Sequence, residues 1–314
     1  MMGILALGWT GVGERAGGKG SLEIGAAIAA AVLLIASTAS GLYEQSAIGD
    51  EPSRAERSDA GGRTCILPGR ETVVGAFAGA PYTYPSVVRI EKPGAVDMTI
   101  DPVNWYTDPF HNPIYYGARV ARWFTGGKTG MMVDFIHSKA IAERDKEANF
   151  TGAIDGKPLA PRARIEDVVR KMEFSHGHNM LLLNGLLRLP GIGPRLSPYA
   201  GAGAGVLLPH TEFELAADSH PRTYEYNYAG PAAQALLGVE VRLARMSFFV
   251  EYKFTWGHYS APLSQMDGSW LFLDIWRQIS RWFAGEPPAG GHISTEIVSH
   301  QVVSGLAVRI NTAP

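Results

Sequence analysis

Nine histidines are spread through the chain, at positions 111, 137, 176, 178, 210, 220, 258, 292 and 300. Three of them close the same short pattern of an apolar residue, any residue, then His: Phe135-Ile136-His137, Phe174-Ser175-His176 and Val298-Ser299-His300. Imidazole carries protons near neutral pH and is the commonest metal ligand, and on an apolar surface it also serves as a polar tip at a boundary. Strand alternation with Asp134 inward puts Val133, Phe135 and His137 outside. With Glu173, Ser175 and Asn179 inward, Phe174, His176 and His178 are outside, and with Gln301 and Arg309 inward, Val298, His300 and Val302 are outside. His137 and His176 then come from neighbouring strands at similar depth, and together with Glu173 they are the candidate ligands of a divalent metal. By parity Glu173 points inward and joins only if a bulge rotates its strand. Lys139, on the face of His137, is placed to attract a phosphate, which makes His137, His176 and Lys139 the candidate catalytic residues.

A second constellation is His258-Tyr259-Ser260, a base two residues from a hydroxyl nucleophile on one strand face; no orienting acid is assignable from sequence. P-loop, His-Glu-x-x-His, Gly-x-Ser-x-Gly and Cys-based metal patterns are all missing from the chain. Gly201-Ala202-Gly203-Ala204-Gly205 is no dinucleotide fingerprint, because no helix follows it; small strand residues leaving room for bulky neighbours account for it.

These groups need elements to hold them. From Met246 to Tyr259 the even positions Phe248, Val250, Tyr252, Phe254 and Trp256 are large and apolar, while Ser247, Glu251, Lys253, Thr255 and Gly257 are small or polar. That is a strand with a lipid-facing side and a polar lumen side, long enough for a tilted crossing. Seven further strands are predicted: about Thr72–Ala80, Tyr115–Phe124, Met131–Ala140, Val168–Leu189, Tyr199–Pro209, Thr223–Leu243 and Ile293–Ile310. Tight turns at Thr125–Lys128, Pro190–Pro194 and Ala244-Arg245 alternate with long segments. The first long segment is proline-rich, with a small hairpin around Val87–Ile90, and Ile141–Ile165 reads as a charged loop. Alternating short turns and long external loops around an even strand count mark an eight-stranded antiparallel up-and-down transmembrane β-barrel. Such a barrel is filled by side chains and is no pore. Glu240, Arg242, Glu251, Lys253 and Arg309 share inward parity and are expected to pair inside.

The last long loop carries Phe272, Ile275, Trp276, Ile279 and Trp282 at helical spacing across Ser269–Phe283, with Asp274, Arg277, Gln278 and Arg281 opposite. This is a short amphipathic helix, expected in the outer-leaflet interface with its Trp residues at headgroup level. Arg277 and Arg281, one turn apart, then meet lipid phosphates.

Ahead of the barrel, the apolar run Ile24–Ala36 is too short to span a bilayer and is followed by Ser37-Thr38-Ala39. Residues 1–39 therefore read as a signal peptide, or alternatively an N-terminal anchor. Residues 40–70 read as a disordered leader, and 71–314 as the barrel domain. Cys65 is the only cysteine, so no intrachain disulfide forms. With 28 basic and 30 acidic residues the chain has no basic excess, which excludes nucleic acid as a partner; the outer membrane is the expected location and a monomer the expected state.

Several segments resemble the outer-membrane lipid A oxidase family and its barrel relatives. They are Tyr115-Tyr116-Gly117, Val133 to Ala140, Glu173 to Gly177, Pro198 to Gly203, Tyr224-Glu225-Tyr226, Gly230 to Gln234, Glu251-Tyr252-Lys253 and His300-Gln301. The likeness spans about Glu71 to Ile310. It implies an eight-stranded outer-membrane barrel whose substrate is lipid A of lipopolysaccharide. Its reaction would be oxidation of the proximal glucosamine, with molecular oxygen as co-substrate and a divalent metal ion as cofactor. His258-Tyr259-Ser260 resembles instead the His-x-Ser pair of the outer-membrane lipid A deacylase. The alternative to the oxidase reading is a non-catalytic structural barrel, with the deacylase-like hydrolase third.

Overall fold

Eight strands hydrogen-bond in chain order and close on themselves in the computed structural model, which describes residues 71–191, 195–217, 221–243, 245–288 and 290–310. They are β1 (Glu71–Thr83), β2 (Tyr116–Trp123), β3 (Thr129–Ser138), β4 (His178–Arg188), β5 (Leu196–Leu207), β6 (Gly230–Arg242), β7 (Met246–Pro262) and β8 (His292–Ile310). Every neighbouring pair is antiparallel, and β1 meets β8 from Thr72↔Ile310 to Thr83↔Ser299. Closure removes the sheet edge. The signal-peptide and leader segments, with Cys65, lie outside the described residues, as do residues 311–314.

The wall is apolar outside and polar inside. Leu183, Leu187, Leu237, Phe248, Val250, Tyr252, Val302 and Leu306 face outward and are exposed, while Asp134, Asn184, Glu251, Lys253 and Gln301 are buried in the lumen. Water would penalise that belt and hydrocarbon favours it, so the chain is a membrane-spanning barrel of the bacterial outer-membrane kind. No helix among the described residues is long and apolar enough to cross a membrane; the strands cross.

The lumen is filled by paired side chains. Lys253 Nζ lies 2.5 Å from Asp134 Oδ2, and Arg119 pairs with Glu251. Gln234 donates to Asp134 and to Asn184, each at 3.1 Å. At the short-turn end Arg188 and Arg242 hold Glu71 at 2.7 and 2.6 Å, and Arg309 lies 3.4 Å from Glu240. The expected inward set is thus inside, completed by Arg119, Asp134, Glu71 and Arg188. A Cβ at Gly203 would come 2.6 Å from Asn184 Oδ1, so the inward glycines of β5 do leave room for lumen neighbours.

Above the other end the long connections are folded, not irregular. The hairpin Ser86–Lys92/Val96–Val103 extends the wall by pairing with the top of β8, and Glu147–Ile154 and Arg162–Arg164 continue that sheet. A separate five-stranded sheet runs in the order Thr223–Tyr226, His210–Leu215, Val169–Glu173, Ile141–Ala142 and Trp105–Tyr106. Their apolar faces share one core, in which Ile90, Met98, Ile100, Phe150, Val169 and Phe213 are buried. The expected loop at Ile141–Ile165 is therefore corrected. Its alternation, in Asn149-Phe150-Thr151 for example, is short but builds a strand once a hairpin lies beside it.

Two expected strands are each divided in two. Val168–Leu189 separates into Val169–Glu173, in the cap sheet, and β4, in the wall. Between them the chain turns at Phe174–Gly177, where Gly177 takes φ 148°, open to glycine and strained for other residues. Phe174 is pulled into the core, stacked on Tyr259 at 4.9 Å. The turn resets parity: His178 points into the lumen and Asn179 outward, opposite to the expected phase. Thr223–Leu243 likewise separates into Thr223–Tyr226 and β6.

In the last connection α1 (Leu271–Phe283) forms as expected. Its buried residues are Leu271 and Asp274. Leu271 and Ile275 pack with Tyr226, Phe135, Val133 and Leu181 against the outer side of β3 and β4. Asp274 accepts from the Tyr226 N–H at 3.3 Å, and Gln278 clasps the Tyr228 backbone through both its amide atoms. Phe272, Trp276, Trp282 and Phe283 stay exposed on the other side.

Candidate active site at the outer rim

Just after β5, Leu208-Pro209 redirects the chain and His210-Thr211-Glu212 enters the cap sheet, where alternation puts His210 and Glu212 on one face. Register then sets Glu173 directly across from Glu212, and the Phe174–Gly177 turn brings His176 back over both. Two carboxylates facing across a strand pair repel unless cations or donors intervene. Here Lys171 Nζ lies 2.8 Å from Glu173 Oε1 and 2.5 Å from Glu212 Oε2. Ser175 Oγ is 2.8 Å from Glu173 and 3.1 Å from Glu212 Oε1. On the Oε1 side stand two imidazoles: His176 Nδ1, in close contact, and His210 Nδ1 at 3.1 Å. One donor atom each from His176, His210 and Glu212 falls within 4.8 Å of the others.

The surroundings fix these rings. His210 Nε2 lies 3.0 Å from the Gly268 carbonyl, and its ring meets Tyr226 edge-on at 4.7 Å. The Tyr226 hydroxyl donates to the His176 carbonyl at 3.0 Å. Glu212 and His210 are buried, whereas the His176 side chain keeps 42% of its exposure. Burial pushes the Glu212 carboxyl up, but hydrogen bonds from His176, His210 and Lys171 outweigh it and hold the group far below the usual carboxylate range. Burial lowers Lys171, and its bonds to Glu173 and Glu212 more than reverse that, so its ammonium is firmly charged.

The structure brings His176 together with His210 and Glu212, and sets the other predicted residues around them. His137 does face outward from β3. It is nonetheless buried, stacked on Tyr116 at 4.5 Å and bonded through Nδ1 to Asn179 Oδ1 at 2.8 Å. Glu173 belongs to the cap sheet, one Lys171 away from Glu212. Lys139 is buried, donating to the His111 carbonyl at 3.0 Å with Asp108 at 3.7 Å; burial lowers its amine, against the pull of Asp108. Arg277 sits 3.6 Å from Asp274 and Arg281 3.5 Å from Glu286. His210, Glu212 and Lys171 were missed by sequence reasoning. The alternation of His210 and Glu212 was a usable signal, but a strand thought to end at Pro209 left them in a loop.

At the top of β7, His258 and Ser260 are exposed on one face, and the Ser260 N–H donates to the Ala229 carbonyl at 2.6 Å. Glu296 on β8 lies directly across from His258, its Oε1 3.5 Å from Nδ1.

No family model matches the chain, and no curated protein matches it. Among solved structures it is similar to Neisserial surface protein A (7% identity, 76% of this chain and 97% of that one, TM-score 0.33). It is similar too to the outer membrane protein OprG from Pseudomonas aeruginosa (11%, 78% and 97%, 0.37) and to the outer membrane protease OmpT from Escherichia coli (7%, 79% and 99%, 0.37). The fold itself rests on the strand pairing described above.

Proposed function

We propose that this outer-membrane barrel acts on lipid A and oxidises its proximal glucosamine, with dioxygen as electron acceptor. The observation that carries the reading is where the reactive groups lie. His176, His210, Glu212 and Lys171 stand outside the wall at the long-loop end, beside a helix whose aromatic face is left bare. An outer-leaflet lipid is beside a barrel, not inside it, so a reaction on its sugar needs groups on that side. The exposed aromatic face of α1 continues the apolar belt of the wall, which suits burial at headgroup level, and Arg277 and Arg281 are its candidate phosphate contacts. The resemblance from Glu71 to Ile310 supplies the substrate and the reaction type.

In this reading a free anomeric hydroxyl of the proximal sugar and its C–H give up two electrons and two protons to dioxygen, which leaves as hydrogen peroxide, and water opens the resulting lactone to the aminogluconate, a net gain of one oxygen. His176, the exposed member, marks the open side from which the sugar reaches the cluster. Lys171 and the Gly268 carbonyl keep Glu212 and His210 in position while that happens. A divalent metal, when bound, supplies Lewis-acid and one-electron chemistry.

A second reading is favoured by Glu296, the acid that the sequence alone did not assign. Ser260, His258 and Glu296 together have the residue types of a nucleophile, base and orienting acid for ester cleavage. The mass spectrum of lipid A from cells with and without the protein separates the possibilities. A gain of oxygen supports oxidation, loss of an acyl chain supports the hydrolytic reading, and unchanged lipid A leaves a structural barrel.

A further inference from the structure

We propose that His176, His210 and Glu212 are the ligands of one divalent first-row transition-metal ion. The Gly268 carbonyl can only accept, so His210 must carry a proton on Nε2 to bond it at 3.0 Å. In the neutral ring Nδ1 is then a bare lone pair, and it faces Glu212 Oε1, another acceptor, at 3.1 Å. The two are held together either by a second proton on the ring or by a metal ion between them, and the third donor, His176, gathered on the same carboxylate oxygen favours the metal. A carbonyl on the far nitrogen is also the usual outer partner of a metal-bound histidine, because it fixes the tautomer and the ring plane.

The carboxylate is divided to match. Its Oε2 is taken by Lys171 at 2.5 Å, while Oε1 is turned to both imidazoles and to Ser175 Oγ. Donors bound to one ion at roughly 2.0–2.2 Å stand about 3–4 Å apart, and the three here already lie within 4.8 Å. Two imidazoles and one carboxylate suit iron, manganese, cobalt or zinc better than the all-oxygen sites of calcium and magnesium. Exposure on the His176 side leaves positions open for substrate. Glu173, across the strand pair, shares Lys171 and Ser175 with Glu212 and acts as an outer partner that steadies the liganding oxygen.

Cobalt(II) is a suitable probe because its visible absorption reports the ligand set. The full barrel, refolded in detergent and stripped with a chelator, should bind one Co2+ per chain with visible bands, and Zn2+ should displace it. His176→Ala, His210→Ala and Glu212→Gln should each weaken binding more than about 100-fold, while Glu173→Gln should cost about 10-fold or less, as an outer partner. A gel shift on boiling checks that each variant is folded. If the two buried positions fail to assemble, the half-exposed His176→Ala carries the test. No Co2+ bound by the wild type would leave an imidazolium–carboxylate pair and overturn the site, as would binding unchanged in the three variants. No lipid enters the measurement, so a bound ion with unmodified lipid A would sink the oxidase reading alone.

Discussion

The lumen and the cap each bury carboxylates, but they neutralise them differently. Asp134 and Glu251 are met by Lys253 and Arg119, whose side chains are sealed in the wall. Glu212 is met by one lysine and two imidazoles, one of them half open to solvent. Ion pairs closed off from solvent give the lumen a structural role. Imidazoles can give up a proton or take a metal, so the cap is where chemistry is possible. The wall supplies a rigid frame, and the reactive groups sit on strands leaning out from it.

Breaking the lumen should have the largest effect. Lys253→Met leaves the buried Asp134 without its ion-pair partner, a loss of about 3–5 kcal/mol for a buried pair. The expected result is a lower urea midpoint of the refolded barrel and a weaker folded band on unboiled gels. Pairing it with Asp134→Leu should restore most of the loss, since replacing both charges by apolar groups is close to neutral. If the double variant is as unstable as the single one, the lumen pairs are not independent and the contrast with the cap weakens.

The cap should answer in the opposite way. Glu212→Gln removes a charge held by three groups, yet it leaves the eight-stranded wall untouched. The barrel band should persist, with at most about 1–3 kcal/mol lost locally and seen as faster proteolysis of the cap. Lipid A modification should disappear in the same cells. A variant that fails to assemble would instead show the cap to be part of the barrel's folding unit.

This division also decided what could be read from the sequence. Alternation runs through Phe248–Trp256 in β7 with Phe249 alone out of phase, and through His300–Val308 in β8 with Val303 and Ser304 exchanged, so wall strands and lumen charges are legible. The helix is too, because Phe272, Ile275, Trp276, Ile279 and Trp282 recur at spacings of three, four and seven. The cap is not. Its strands are short, as in Ile141–Ala142 and Val169–Glu173, and none buries a face without partners distant in the chain. The turn at Gly177 then flipped the phase of everything from His178 to Arg188, so Asn179 and His178 were expected on the wrong sides. His176 lies in the turn between two strands, and its neighbours His210 and Glu212 come from a segment beyond β5 that offers no long alternating run.

The helix should respond to pH, with a smaller effect. Burial raises the Asp274 carboxyl above its ordinary value, against the Tyr226 N–H and Arg277. Its folded pKa therefore lies above the unfolded one, so the docked state binds more protons between the two. Docking should tighten as pH falls through that window, which begins near about pH 4, and loosen as pH rises past it. Protease protection of the Ser264–Pro288 connection, followed across mild acid, measures this. Asp274→Asn should remove the pH dependence and keep the bond from Tyr226. Protection that rises with pH would place the ionised form, paired with Arg277, as the docked one.

The smallest effect belongs to Arg277 and Arg281, where the comparison is between helix faces. Both arginines are partly exposed and already paired, to Asp274 at 3.6 Å and Glu286 at 3.5 Å. The Arg281–Glu286 pair is solvent-exposed and the Arg277–Asp274 contact is long at 3.6 Å, and neither lies in the eight-stranded wall, so Arg277→Gln with Arg281→Gln should cost about 0–1 kcal/mol and leave the urea midpoint nearly unchanged. A phosphate offers each guanidinium a charge-assisted partner at little cost, because the pairs it displaces are weak. The double variant should therefore bind lipopolysaccharide micelles less tightly and with a flatter salt dependence, read through the Trp276 fluorescence shift. The shift itself should survive, since it reports the aromatic face entering the apolar layer and not the arginines. Unchanged affinity and salt dependence would assign the arginines to holding α1 and its loop in place, and leave Trp276 and Trp282 as its contact with lipid.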